Sequence, residues 1–118
     1  MQSHGMSCTF IFSRNYPATI NHEQPVETAR KVMSALVGAK NVLVQQPTMG
    51  AEDFAFMLQA VPGCYCFIGN GEGEHRHTGH GAGPCTLHNS SYDFNDDILA
   101  LGATYWVKLV EACLAGRG

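Results

Sequence analysis

His88 stands in the run Cys85-Thr86-Leu87-His88-Asn89-Ser90-Ser91-Tyr92-Asp93-Phe94. An imidazole set among small hydroxyl and amide side chains can be kept neutral and still by hydrogen bonds, the condition a metal ligand needs. The same residue types also suit a loop histidine with no task, and spacing alone leaves both readings open. His75, His77 and His80, with Glu72 and Glu74 beside them, occupy a glycine-rich tract without periodicity at 70–86. Composition reads that tract as metal-binding. Glycine flanks, however, give no rigid scaffold for a closed site, which favours a solvated loop.

Five cysteines are present, Cys8, Cys64, Cys66, Cys85 and Cys113. The count is odd. Cys64 and Cys66, with one residue between them, lack the two-residue gap of zinc or redox motifs. On a strand both thiols would point to one face. Buried reduced thiols follow as the expectation, and with them a cytoplasmic setting.

These groups need elements to position them. Residues 8–12 (Cys-Thr-Phe-Ile-Phe) are β-branched and aromatic and read as a strand. Pro17 ends it and forces Tyr16 into an extended conformation. Asn21 is a good helix cap, with Gln24 three residues on and Pro25 in the first turn. Val26, Ala29, Met33, Leu36 and Val37 recur at helical spacing, and Gly38 stops the run, so Glu23–Val37 is expected to be an amphipathic helix. Residues 41–45 read as a second strand and 51–61 as a second helix. In the latter's first turn Glu52 and Asp53 complement the helix dipole. Residues 64–69 (Cys-Tyr-Cys-Phe-Ile-Gly) form an apolar run too short for a helix, of the kind found in strands buried on both faces. Asn95 caps a last helix, 95–115, whose broad apolar arc, Tyr105 and Trp106 included, predicts burial. Strands alternating with helices imply an α/β fold with parallel pairing.

With 118 residues the chain makes one domain at most, or a piece of one. Its net charge of −3 and lack of any arginine-rich run argue against a nucleic-acid partner. No apolar run of membrane-spanning length and no signal peptide are read from it, so no membrane partner is expected.

Three stretches carry a resemblance. They are Asn15-Tyr16-Pro17-Ala18-Thr19-Ile20-Asn21, then Met49-Gly50-Ala51-Glu52-Asp53-Phe54-Ala55-Phe56 with Val61-Pro62-Gly63, then Leu87-His88-Asn89 leading to Phe94. In order and spacing they resemble the hippurate hydrolase and N-acyl-amino-acid amidohydrolase branch of the aminoacylase-like zinc metallopeptidases, over nearly the whole chain. The resemblance implies a partial three-layer αβα catalytic domain, a small mostly parallel sheet with flanking helices, at 17–118. Residues 1–16 would be the tail, with the last strand, of an inserted lid or dimerisation domain. His88 matches the family's last metal ligand. Glu52 and Asp53 match an acidic pair that touches substrate in one reading and only starts a helix in the other. Ala51 stands where the family often has a capping serine.

The remaining ligands and the general base would lie upstream, so the resemblance implies no catalytic group within this chain. Two divalent metals, Zn or Mn, would serve the complete site and a small N-acyl amino acid would be its substrate. In the whole enzyme a metal-bound water would attack the amide carbonyl. One histidine cannot hold such a site, because zinc needs about three or four protein ligands. The chain alone is therefore expected to be inactive and to self-associate or dock onto a missing amino-terminal portion. A rival reading makes it a non-enzymatic α/β module whose His75, His77, His80 and His88 form a weak metal site.

Overall fold

In the computed structural model, residues 2–3, 5–76 and 85–115 are described. Two-residue strands β1 (Gln2–Ser3) and β2 (Met6–Ser7) pair antiparallel, with Gly5 at φ 71° in the turn between them. Three helices follow: α1 (Glu23–Val37), α2 (Phe54–Ala60) and α3 (Leu99–Ala115). Short 3-10 turns lie at Ala39–Asn41, Glu74–Arg76 and Asp96–Ile98.

Helix α1 covers the span its periodicity predicts. Ala29 and Val32 are buried, and Val26, Met33, Leu36 and Val37 are half-buried. Val32 lies off the expected stripe because α3 packs obliquely on this face and widens it. Gly38, at φ 84°, closes the helix by donating its N–H to the Ser34 carbonyl at 3.0 Å. The start differs from expectation. His22 holds the cap position without a side-chain cap, and Asn21 is turned to another use described below.

Helix α2 is shorter than the expected 51–61. Leu58 and Ala55 are its buried residues. A Cβ on Gly63 would come within 3.0 Å of Leu58 Cδ2, so the chain after α2 can fold back closely only with glycine there. Helix α3 begins behind a capped turn, in which Asn95 Oδ1 accepts the Asp97 N–H at 3.0 Å. Counted with that turn, Asp96–Ala115 is 20 residues long and apolar enough to cross a membrane by length and composition, which the sequence reading did not register. Lys108 and Glu111, ion-paired at 2.8 Å, sit well inside it and would each oppose insertion by roughly 2.5–3.5 kcal/mol. Its packing on α1 instead marks a helix laid on protein.

The burial expected of α3 is not found. No residue of α3 is buried, and Trp106 is 64 % exposed. Nor do residues 8–12, 41–45 and 64–69 pair as strands among the described residues; they carry no ladder, and Phe10, Ile11, Leu43, Val44 and Phe67 are exposed. A strand forms only against a neighbour, and these three do not neighbour one another. The cysteines also depart from expectation. All five are free, but Cys8, Cys66 and Cys113 are exposed and only Cys64 and Cys85 are half-buried. The accessible surface is 10085 Å², against about 6,300 Å² for a folded monomer of 12.8 kDa.

Candidate functional site

His88 is held by backbone, not by its side chain. It is the third residue of a turn closed by the Asn89 N–H donating to the Thr86 carbonyl at 3.2 Å. Its φ of 65° is the only left-handed value among described non-glycine residues. Histidine enters that region more readily than most residues, at a cost of roughly 1–2 kcal/mol. The imidazole is exposed and makes no hydrogen bond among the described residues, so the side-chain restraint expected from the sequence is not what fixes it.

What fixes it is a chain of asparagines. Asn89 Oδ1 accepts the Ser91 N–H at 2.8 Å, and the Asn89 carbonyl accepts the Tyr92 N–H at 3.0 Å. Ser91 is buried, and the Tyr92 and Phe94 rings meet edge to face at 4.9 Å. Asn70 then joins three elements. Its Nδ2 donates to the Asp93 carbonyl at 2.8 Å, its Oδ1 accepts the Asn95 N–H at 2.9 Å, and its own carbonyl accepts Asn95 Nδ2 at 3.1 Å. The end of the 64–69 segment, the His88 loop and the entry to α3 are thereby locked together. Gly71, at φ 71°, is part of the lock, since a Cβ there would stand 3.1 Å from Asn95 Nδ2.

Glu52 lies elsewhere. Its Oε1 accepts the Phe54 N–H at 3.4 Å and its Oε2 accepts the Tyr65 hydroxyl at 3.0 Å. Hydrogen bonding with the adjacent Asp53 carboxyl, then with the Phe54 amide and the Tyr65 hydroxyl, holds Glu52 below the usual carboxylate range. Tyr65 is pushed up in turn, first by that bond to Glu52 and then by burial. Asp53 is exposed at the cap position of α2. Glu52 is thus tied to residue 65 and His88, through Asn70, to residue 70 of one extended segment, whose anchor points lie at most about 17 Å apart. The described residues do not bring the acidic pair and the imidazole into contact.

The sequence gave no notice of Asn21. Its Oδ1 accepts the Tyr65 N–H at 2.7 Å and its Nδ2 donates to the Tyr65 carbonyl at 2.8 Å. His22 adds two bonds to Gly63, its N–H donating to the Gly63 carbonyl at 3.0 Å and its Nδ1 accepting the Gly63 N–H at 3.2 Å. An asparagine beside a helix start signals a cap, and nothing local distinguishes that use from pairing with a distant peptide.

Of the glycine-rich tract, His77 and His80 lie outside the described residues. His75 lines a hollow with Glu72, Glu74, Asp96 and Asp97, and its Nε2 is buried without a hydrogen-bond partner. A second hollow lies between α1, α3 and residues 62–66. Burial, then Cys66, pushes the Cys64 thiol up there, and burial, then its bond with Cys66, does the same to Tyr105. His88 borders neither hollow. Among the described residues no three histidines, cysteines or acids gather to hold a metal ion. His88 is therefore one available donor, and the described residues do not make up a complete metal site.

Comparison with known proteins was informative at the level of sequence. The model of peptidase family M20/M25/M40 matches residues 6–112. Hippurate hydrolase of Campylobacter jejuni is 36% identical over 94 residues, covering 79% of this chain and 22% of that protein. Putative amidohydrolase YhaA of Bacillus subtilis is 41% identical over 68 residues, 56% of this chain and 17% of the relative. Thermostable carboxypeptidase 1 of Saccharolobus solfataricus is 32% identical over 103 residues, 85% and 23%. The chain spans about a fifth of the length of these relatives. No solved structure matches it.

Proposed function

The chain belongs to peptidase family M20/M25/M40, and from that premise we propose that it is the C-terminal part of a metal-dependent amidohydrolase acting on N-acyl amino acids or similar small amides. The observation that carries the reading is the family match over nearly the whole chain, with His88 inside it on a strained, exposed turn. The names of two relatives, a hippurate hydrolase and an amidohydrolase, support amide substrates. A bound divalent ion, Zn or Mn, would supply Lewis-acid polarisation in the complete enzyme. This chain's part is to present the His88 imidazole from a backbone turn clamped by Asn70 and Asn95. Glu52 and Asp53 serve a substrate-facing role in the same reading, and Glu52 is kept ionised for it by the Tyr65 hydroxyl.

On this reading residues 17–118 are a portion of a three-layer αβα domain and 1–16 the tail of a lid. The bare apolar surface of α3 and of the extended segments is then the face that meets the rest of the catalytic unit. Alone, the chain is inactive and self-associates. Free cysteines throughout fit a reducing, cytoplasmic setting.

The test is a single chain in which this sequence replaces the matched stretch of the Campylobacter hippurate hydrolase. Hippurate turnover, abolished by a chelator, is expected from that protein and not from the 118-residue chain alone. Chelator-sensitive turnover by the isolated chain, or a folded hybrid without turnover, contradicts the proposal.

A further inference from the structure

The 64–69 segment has one edge occupied and one edge bare. In an extended chain the N–H and C=O of a residue point to one side, and those of the next residue to the other. Gly63 and Tyr65 use theirs on the same side, where His22 and Asn21 answer them with four hydrogen bonds. The Asn21 amide stands where the peptide of a neighbouring strand would stand. Cys64, Cys66 and Ile68 face the opposite edge, and their backbone groups have no partner among the described residues.

The faces of this segment are already attended. The Tyr65 ring meets Phe54 of α2 at 5.5 Å and Phe67 at 5.2 Å. Side chains alternate along an extended chain, so Cys66 points the other way, and its thiol lies 3.8 Å from the Tyr105 hydroxyl of α3. A segment with helices against both faces and one unpaired edge has the surroundings of an interior strand whose neighbour is absent.

The bare surface decides between occupants. The excess over a folded monomer of this mass is about 3,800 Å². A standard protein interface covers only about 800 Å² per partner, and even the large obligate ones stop near 2,500 Å² per side. A second copy would leave much of the excess exposed. A body several times larger would not, and the relatives carry about four-fifths of their length outside the matched region.

We propose that the Cys64–Cys66–Ile68 edge receives an extended strand from the remaining portion of an M20-type catalytic unit, by backbone pairing. This rests on the family reading above and adds to it the partner and the edge.

Amide hydrogen exchange tests it in two samples, the dilute chain alone and the hippurate hydrolase hybrid. In the chain alone, Cys64, Cys66 and Ile68 exchange freely while Tyr65 is protected. In the hybrid all three slow by more than about tenfold, as ladder pairing requires. Cys66→Pro, which removes one edge N–H, lowers the hybrid's melting temperature, whereas Cys66→Ala leaves it close to the parent. Free exchange at these amides in an active hybrid overturns the edge while leaving the amidohydrolase reading intact. Protection in a hybrid without turnover does the reverse. Protection already present in the isolated chain, through a second copy, overturns the choice of occupant, and so does a Cys66→Pro hybrid that melts with the parent.

Discussion

Replacing Asn21 by leucine separates two uses of one side chain. The substitution keeps the shape and deletes both hydrogen bonds to the Tyr65 peptide, made at 2.7 and 2.8 Å. A neutral hydrogen bond adds a net 0.5–1.5 kcal/mol or so. Asn21 is exposed, so water replaces part of each bond and the loss falls near the lower end, about 1–2 kcal/mol for the pair. That corresponds to roughly 5- to 30-fold in the local opening equilibrium. The assay is exchange of the Tyr65 amide, which should speed up by that factor in Asn21→Leu. Asn21→Asp keeps the acceptor for the Tyr65 N–H and loses only the donor, so its effect should be about half as large on the energy scale. If Asn21 instead capped α1, the change would appear as fraying at the Glu23 and Gln24 amides, with Tyr65 unmoved. That outcome would refute the pairing.

Other expectations follow from the same contacts. His88→Gly relieves the left-handed backbone and should raise the urea midpoint slightly, while His88→Val should cost about 1–2 kcal/mol; the opposite order would contradict the strained turn. Tyr65→Phe removes one of the bonds that hold the Glu52 carboxyl low, so the NMR titration of Glu52 should move upward. Because that carboxyl is depressed in the folded chain, its contribution is present above the ordinary carboxylate range and is lost as pH falls through the folded value, and the variant should lose part of this acid-side dependence. An unchanged Glu52 titration would refute the assignment. Small-angle scattering of the dilute chain should give a radius of gyration near 19.9 Å; a value near 13.5 Å, expected of a compact domain this long, would contradict the open arrangement.

Helical elements were legible because their signals are local. The α1 boundaries follow from a period of 3.6 and a glycine stop, and the Asn95 turn from a cap three residues inside a polar stretch. Burial was legible only as potential. The apolar arc of α3 states what the helix can cover and not what covers it, so Trp106 reads as core and stands 64 % exposed. Extended segments 8–12 and 64–69 show the same limit, since strand-forming side chains say nothing of a partner's presence. The His88 loop was found through its neighbours in sequence, but its restraint comes from Asn70 and Asn95, which act across 25 positions of chain. Asn21 and Tyr65, 44 positions apart, lie further beyond any local pattern.

The central claim is that His88 is a metal ligand whose fellow ligands lie outside this chain. Metal content of the purified hippurate hydrolase hybrid, measured by mass spectrometry with and without His88→Ala, addresses it directly. The account predicts that the substitution lowers both bound metal and hippurate turnover while helicity is kept. A His88→Ala hybrid that retains its full metal content and activity would contradict it.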